Sequence, residues 1–349
     1  MMWLAGLLAV AAPAAADCPP GASLAYVCRV EHPEDVVAIP GTRWLIASGF
    51  APGAGLKLVD SERKAAESWY DGRASQVSVD RMAYPGCPGP VDPAKFNARG
   101  LSLRQTGDES FTLFVVNHGG RESIEIFEVT TGGDRPALRW RGCRLMPPGQ
   151  VGNAVASFAD GTLLVTVLTR PGTTIADFVL GKRTGAVWQW TPGASGFAEI
   201  PGTQLLGNNG LETDPDERHF YVVAFGWHAV VVFDRRHPKK PVRVIEMPGF
   251  MPDNVHWTDG RLVAAGMRLD EPACGGLRRV VDGEADKMLC HRGYVAAAID
   301  PASGIVSTLT YGEPEQDFNG VSAAAIVGDT IWLGSYQADR LAYRKLPGR

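Results

Sequence analysis

The sequence lacks most of the short motifs that identify an enzyme on sight. It has no GxSxG elbow, which argues against a serine hydrolase of the α/β type. No GxGxxG stretch or phosphate loop sits between a strand and a helix, so nucleotide chemistry has no anchor. None of the six cysteines forms a CxxC pair, and no histidine spacing suggests zinc. Helical periodicity is scarce. Basic residues are scattered, and the densest run, Arg235-Arg236-His237-Pro238-Lys239-Lys240, reads as a solvated turn, so no nucleic-acid partner is expected. Beyond the first residues no apolar run is long enough to span a bilayer, and the mature chain is expected to be soluble.

The first residues stand apart. Met1 to Ala16 is apolar and Ala-rich and ends in Ala14-Ala15-Ala16, the pattern of a signal peptide, although no Lys or Arg precedes the apolar run. Residues 1–16 are therefore read as a signal peptide, 17–349 as one domain, and the protein as exported. Export suits an even number of cysteines, which suggests disulfides. Proximity favours Cys18–Cys28, Cys87–Cys143 and Cys274–Cys290, although spacing alone leaves other pairings open.

What fills the rest is short β-branched or aromatic runs, such as Phe111–Asn117, Ser123–Val129, Leu163–Leu168 and Val230–Asp234, separated by Gly, Pro and Asp. One phrase recurs: a polar residue, a residue that is usually small, a short alternating strand, a turn, then a second apolar strand. Copies begin at Glu34, Arg99, Asn153, Asn209, Asp253 and Asn319. Each reads as the inner hairpin of a four-stranded blade, followed by outer strands such as Ala186–Trp190 or Tyr294–Ile299. Six copies predict an all-β, six-bladed β-propeller. The tryptophans, among them Trp188, Trp190, Trp227, Trp257 and Trp332, are expected to pack the blades.

Equivalent positions in a propeller share a radius and a height. The first residues of the phrases, Glu34, Arg99, Asn153, Asn209, Asp253 and Asn319, should therefore converge on the central channel. The next column reads Asp35, Gly100, Ala154, Gly210, Asn254 and Gly320. Carboxylates and amides facing one another need a counter-ion, and hard oxygen donors suit Ca²⁺, Mg²⁺ or Mn²⁺. Ligands drawn from several blades favour Ca²⁺, which accepts oxygens in a flexible geometry. Taken singly, each Asn-Gly or Asp-Asn pair is also an ordinary turn signal.

These residues carry a family resemblance. FVVNHGGRESIEIFEV (Phe114–Val129) is similar to the paraoxonase/arylesterase group within the gluconolactonase-like propellers. So are PEDVVAIPG (Pro33–Gly41), NARGLSL (Asn97–Leu103), NNGLETDPDERHFYVV (Asn208–Val223), PDNV (Pro252–Val255) and NGVSAAAIVGDTIWLG (Asn319–Gly334). The resemblance implies a six-bladed propeller and Ca²⁺-dependent hydrolysis of lactones and aryl esters. It puts the calcium ligands on Glu34, Asn153, Asn209, Asp253 and Asn254. It puts one proposed catalytic histidine on His118 and the other on Arg99, which breaks a His–His relay. The family's second, structural calcium is weakened here because Ala154 replaces an acid, while Asp35 and the carbonyl of Leu101 remain. No Cys follows Cys290, so a disulfide tying the chain ends has no match. Met267–Gly293 looks like an inserted loop, expected to form a disulfide-stapled lid over the channel mouth.

On this reading Ca²⁺ is a Lewis acid for a small-molecule ester or lactone carbonyl. Asp253 activates water or attacks directly, and His118 shuttles protons or merely packs at a strand end. Arg99 replaces a base, binds a substrate carboxylate, or pairs with Glu34 or Asp253. Two other readings of the scaffold compete: a non-catalytic, calcium-stabilised propeller that binds a ligand or protein, and a metal-free condensation enzyme of the strictosidine-synthase type. The crowded Asn/Asp column disfavours the last. Nothing calls for more than a monomer.

Overall fold

The computed structural model describes residues 18–346. The expected signal peptide lies outside the described residues. Six antiparallel four-stranded sheets form the blades of a β-propeller. Their inner strands are Val36–Ala38, Ala98–Gly107, Gly152–Ser157, Asn208–Thr213, Phe250–Thr258 and Val321–Val327 for blades 1 to 6. Every recurring phrase begins inside one of these strands or within two residues of it. The expected outer strands Ala186–Trp190 and Tyr294–Ile299 also form.

Local chemistry explains the hairpins. In blade 5 Thr258 pairs with Arg261 across Asp259-Gly260, and both turn residues have positive φ, as a tight two-residue turn requires. The blades then bury their apolar faces against one another. Trp140 and Trp332 are fully enclosed. Trp227 departs from the expected packing role: it is 42% exposed, on a 3₁₀ turn beyond the second strand of blade 4.

Closure of the ring uses hydrogen bonds. Ala25–Cys28 pairs with Arg340–Lys345 and so completes blade 6 from the other end of the chain. The three disulfides join Cys18 to Cys28, Cys87 to Cys143 and Cys274 to Cys290, which suits an oxidising compartment. Among the described residues no helix is long and apolar enough to cross a membrane.

Pairing breaks at one recurrent place. Register shifts interrupt the inner hairpins between Ala98 and Leu101, Gly152 and Val155, Asn208 and Leu211, and Pro252 and Val255. The skipped residues are Arg99-Gly100, Asn153-Ala154, Asn209-Gly210 and Asp253-Asn254. Such bulges re-aim side chains away from the regular alternation. They also bring backbones close. A Cβ on Gly210 would lie 2.4 Å from the Asp253 carbonyl oxygen, and one on Gly100 would lie 2.6 Å from that of Asn153. Glycine in the second column is what lets neighbouring blades meet there.

Candidate metal and ligand site

Five of the six first-column residues line one cavity of about 550 Å³: Glu34, Arg99, Asn153, Asn209 and Asp253. Asn319 does not line it. Its Nδ2 donates to the Met288 carbonyl (3.0 Å) and to Gln337 Oε1 (2.6 Å), and its Oδ1 accepts from the Arg292 N–H (3.1 Å), so it moors the loop above.

The backbone of the column is held from behind. Ser322 Oγ donates to the Glu34 carbonyl (2.6 Å), and Thr166 Oγ1 donates to that of Asn209 (2.6 Å). The side chains are held less completely. Glu34 Oε2, Asn153 Oδ1 and Asn209 Oδ1 are all buried with no hydrogen-bond partner. Each such atom costs about 1–3 kcal/mol if nothing answers it. Burial raises the Glu34 pKa, and Asp35 and Asp253 raise it further. Burial also raises that of Asp253; a hydrogen bond from Asn209 opposes the shift and Asp35 adds to it. Orphaned hard oxygens beside two carboxylates that resist ionising together are what a divalent cation would satisfy, so the residues fit Ca²⁺. Among the described residues no three His, Cys, Asp or Glu side chains group to hold a metal, so the fit depends on the amides.

Asn254 stands apart from the other proposed ligands. It does not line the cavity, and its Nδ2 donates to Glu34 Oε1 (3.2 Å) and to the Glu34 carbonyl (3.3 Å). His118 is also outside the lining. Its Nδ1 faces Glu122 Oε2 at 2.6 Å, and its Nε2 is buried without a partner. Burial lowers its pKa, more than the bond to Glu122 raises it. Arg99 lies over the Phe50 ring, 3.4 Å from the centroid, with Nε unpartnered. Burial lowers its pKa to about 10, against the pull of Glu34, Glu122 and Asp253.

Beside Asp35, the expected place of a second cation, the carboxylate is engaged by the protein itself. Its Oδ2 accepts the Leu101 N–H at 2.7 Å, where the expectation relied on the Leu101 carbonyl. Its Oδ1 accepts from Val36 N–H (2.9 Å) and from His256 Nε2 (2.7 Å). Burial works against a charged His256, but Asp35 and Glu212 outweigh it and raise its pKa to about 10. His256 thus takes up one Asp35 oxygen.

Part of the expected lid lines the cavity. Arg278, Gly283, Glu284, Ala285, Lys287 and Met288 line the same cavity as the column. They lie between the bonded Cys274 and Cys290, with a two-stranded ribbon of Val280–Val281 and Glu284–Ala285. The short helix Ile175–Val179 packs against that ribbon and is capped by Thr174 and Asp177. Phe178, Phe225, Leu168 and Ile175 make the wall apolar. Tyr336 completes the lining, and its buried Oη has no partner. The repeat could not reveal Tyr336, Phe50 or the lid residues, because all lie in connections outside the recurring phrase.

No protein-family model and no curated protein matches the chain. Solved structures do. A proposed gluconolactonase superposes with a TM-score of 0.53 at 13% identity, over 94% of this chain and 93% of that one. A luciferin-regenerating enzyme gives 0.52 at 13% identity, over 91% and 92%. A calcium-binding protein, regucalcin, from Agrobacterium tumefaciens gives 0.50 at 10% identity, over 96% and 97%. At such identities the likeness shows a shared fold.

Proposed function

We propose that the protein is a calcium-dependent hydrolase of lactones or aryl esters. One observation carries this reading: three buried, unanswered oxygens from blades 1, 3 and 4 meet Asp253 of blade 5 in a cavity with an apolar wall. The fold it shares with a proposed gluconolactonase and a calcium-binding regucalcin agrees with it.

Glu34, Asn153, Asn209 and Asp253 would hold the ion, while Asn254 steadies Glu34 from behind. The ion, when bound, supplies Lewis acidity toward the ester carbonyl oxygen. Two carboxylates balance a divalent charge, and the neutral amides leave that acidity undiminished. Asp253 then accepts the proton of an attacking water at its free carboxylate oxygen, or attacks the carbonyl carbon itself. On the first route the acyl C–O bond breaks and the alcohol takes up that proton. On the second an acyl-Asp253 anhydride forms as the alkoxide leaves, and water then hydrolyses the anhydride and supplies the alcohol's proton. Either route gives acid and alcohol from ester and water. His118, held by Glu122 and neutral near pH 7, has a free Nε2 for relaying the proton outward. The apolar wall excludes water from the carbon skeleton of the substrate.

The test is hydrolysis of γ- and δ-lactones and phenyl acetate by the mature protein, with Ca²⁺ and again with EDTA. Turnover that vanishes with EDTA and returns with Ca²⁺ is the expected result. No turnover, with a melting temperature that still rises in Ca²⁺, would replace the hydrolase with a calcium-stabilised binding propeller.

A further inference from the structure

The charges around the cavity do not balance once a divalent ion is granted its two carboxylates. Arg99, Arg278 and Lys287 line it, and among the described residues Glu284 is the one acid in the lining besides Glu34 and Asp253. Two of these cations are poorly answered. Arg99 is spread over Phe50 with a buried, unpartnered Nε. Arg278 spends its Nε on the Asp286 carbonyl (2.9 Å) and carries the rest of its guanidinium toward Phe178, 5.9 Å from the ring centre. The Asp286 carboxylate draws on the Arg278 charge while Arg292 opposes it. Arg292 is itself committed to the Leu269 and Gly276 carbonyls (3.0 Å each).

Tyr336 adds a third donor. Its Oη is buried without a partner and feels the charges of both Asp253 and Arg278. These donors come from three separate pieces of chain: the bulge of blade 2, the stapled lid, and the connection after Thr330–Ser335 of blade 6. A buried donor with nothing to donate to is costly, which applies to Arg99 Nε and Tyr336 Oη, while the half-buried Arg278 guanidinium makes a single hydrogen bond. One acceptor-only group with two oxygens answers all three, and a carboxylate matches the guanidinium fork.

We infer that the substrate carries a carboxylate, gripped by Arg278 of the lid together with Arg99 and Tyr336. The inference rests on the hydrolase reading for the fate of that substrate. The carbon body lies along Phe178 and Phe225, and the ester or lactone carbonyl points toward Glu34, Asn153, Asn209 and Asp253. Arg99 is thereby a substrate-binding residue, and the lid becomes part of the recognition surface.

The experiment pairs 4-acetoxybenzoate with neutral phenyl acetate in Ca²⁺, and adds calorimetric binding of the unreactive 4-acetylbenzoate. The carboxylated ester should have the higher kcat/KM by at least about tenfold. Arg278→Gln should cut that ratio and the 4-acetylbenzoate affinity by roughly 10- to 100-fold, the worth of hydrogen bonds to a charged group. Tyr336→Phe, which removes a single oxygen, should lower both in the same direction and guards against a folding defect. Equal turnover of the two esters, unmoved by Arg278→Gln, would overturn the inference and leave the hydrolase standing. No turnover of either, with 4-acetylbenzoate bound and then lost in Arg278→Gln, would overturn the hydrolase and support the anion site. Inorganic phosphate binding as tightly as 4-acetylbenzoate would overturn the assignment to an organic carboxylate.

Discussion

Glu34 and Asp35 are neighbours in the chain, yet they meet opposite fates in the central channel. Glu34 faces the upper cavity and keeps an oxygen that nothing in the protein answers. Asp35 faces down and is saturated by two backbone N–H groups and His256. Blade 5 shows the same divide, with Asp253 above and His256 below. The lower carboxylate is answered by the protein's own donors, whereas the upper level keeps buried oxygens that the protein leaves unanswered. A carboxylate near the axis is therefore no evidence for a metal by itself. What decides is whether the opposing donors already belong to the protein.

That contrast can be broken at either level. The largest effect is expected above. Asp253→Ala should reduce Ca²⁺-dependent turnover by roughly a thousandfold or more, and should abolish the rise in melting temperature that Ca²⁺ gives the wild type. Retained activity in this variant would sink the upper site.

Below, His256→Leu should cost about 3–5 kcal/mol in denaturant unfolding, because it strands a buried Asp35. Added Ca²⁺ should not restore the loss. Full rescue by Ca²⁺ would mean that the lower level is a metal site after all.

A smaller effect, about 3 kcal/mol in the chain-entropy picture, is expected from replacing Cys274 and Cys290 by serine, which opens a loop of 16 residues. Because the stapled segment lines the cavity, the variant should also raise KM. A change in stability with KM untouched would separate the lid from substrate binding.

The smallest effect is a pH dependence at His118. His118 has a folded-state pKa held below its ordinary value by burial, so its contribution to stability is present above about pH 6.5 and is lost as pH falls through the lowered value. Melting temperatures measured downward from pH 7 should therefore fall less steeply in His118→Phe than in the wild type. Parallel curves would remove His118 from this account.

The ring was largely legible in the sequence, because a blade must repeat its hairpin to repeat its packing. The phrases starting at Asn153 and Asn209 each begin one residue into an inner strand. The convergence of the column was legible for the same reason. Its exception, Asn319, is bound to Met288, Arg292 and Gln337, partners that the repeat cannot supply. The bulges were not legible, since a skipped residue shows only against the strand it fails to pair with. His256 was missed because it lies three positions into its phrase, in a column occupied elsewhere by residues such as Ser102 and Ala156. Arg278 reaches the cavity from the stapled insertion and Tyr336 from just beyond the second strand of its hairpin, as Leu168 and Phe225 do in their blades, so only the folded chain brings them to Asp253.

The seam in blade 6 also governs timing. Ala25–Cys28 is among the first described segments to be synthesised, and among the described residues its sheet partner is Arg340–Lys345. At ordinary translation rates the early strand must wait roughly 15–60 s for the late one. Until then the ring cannot lock, and the edge of an unfinished sheet remains unpaired. The delay keeps the chain threadable while it is being made.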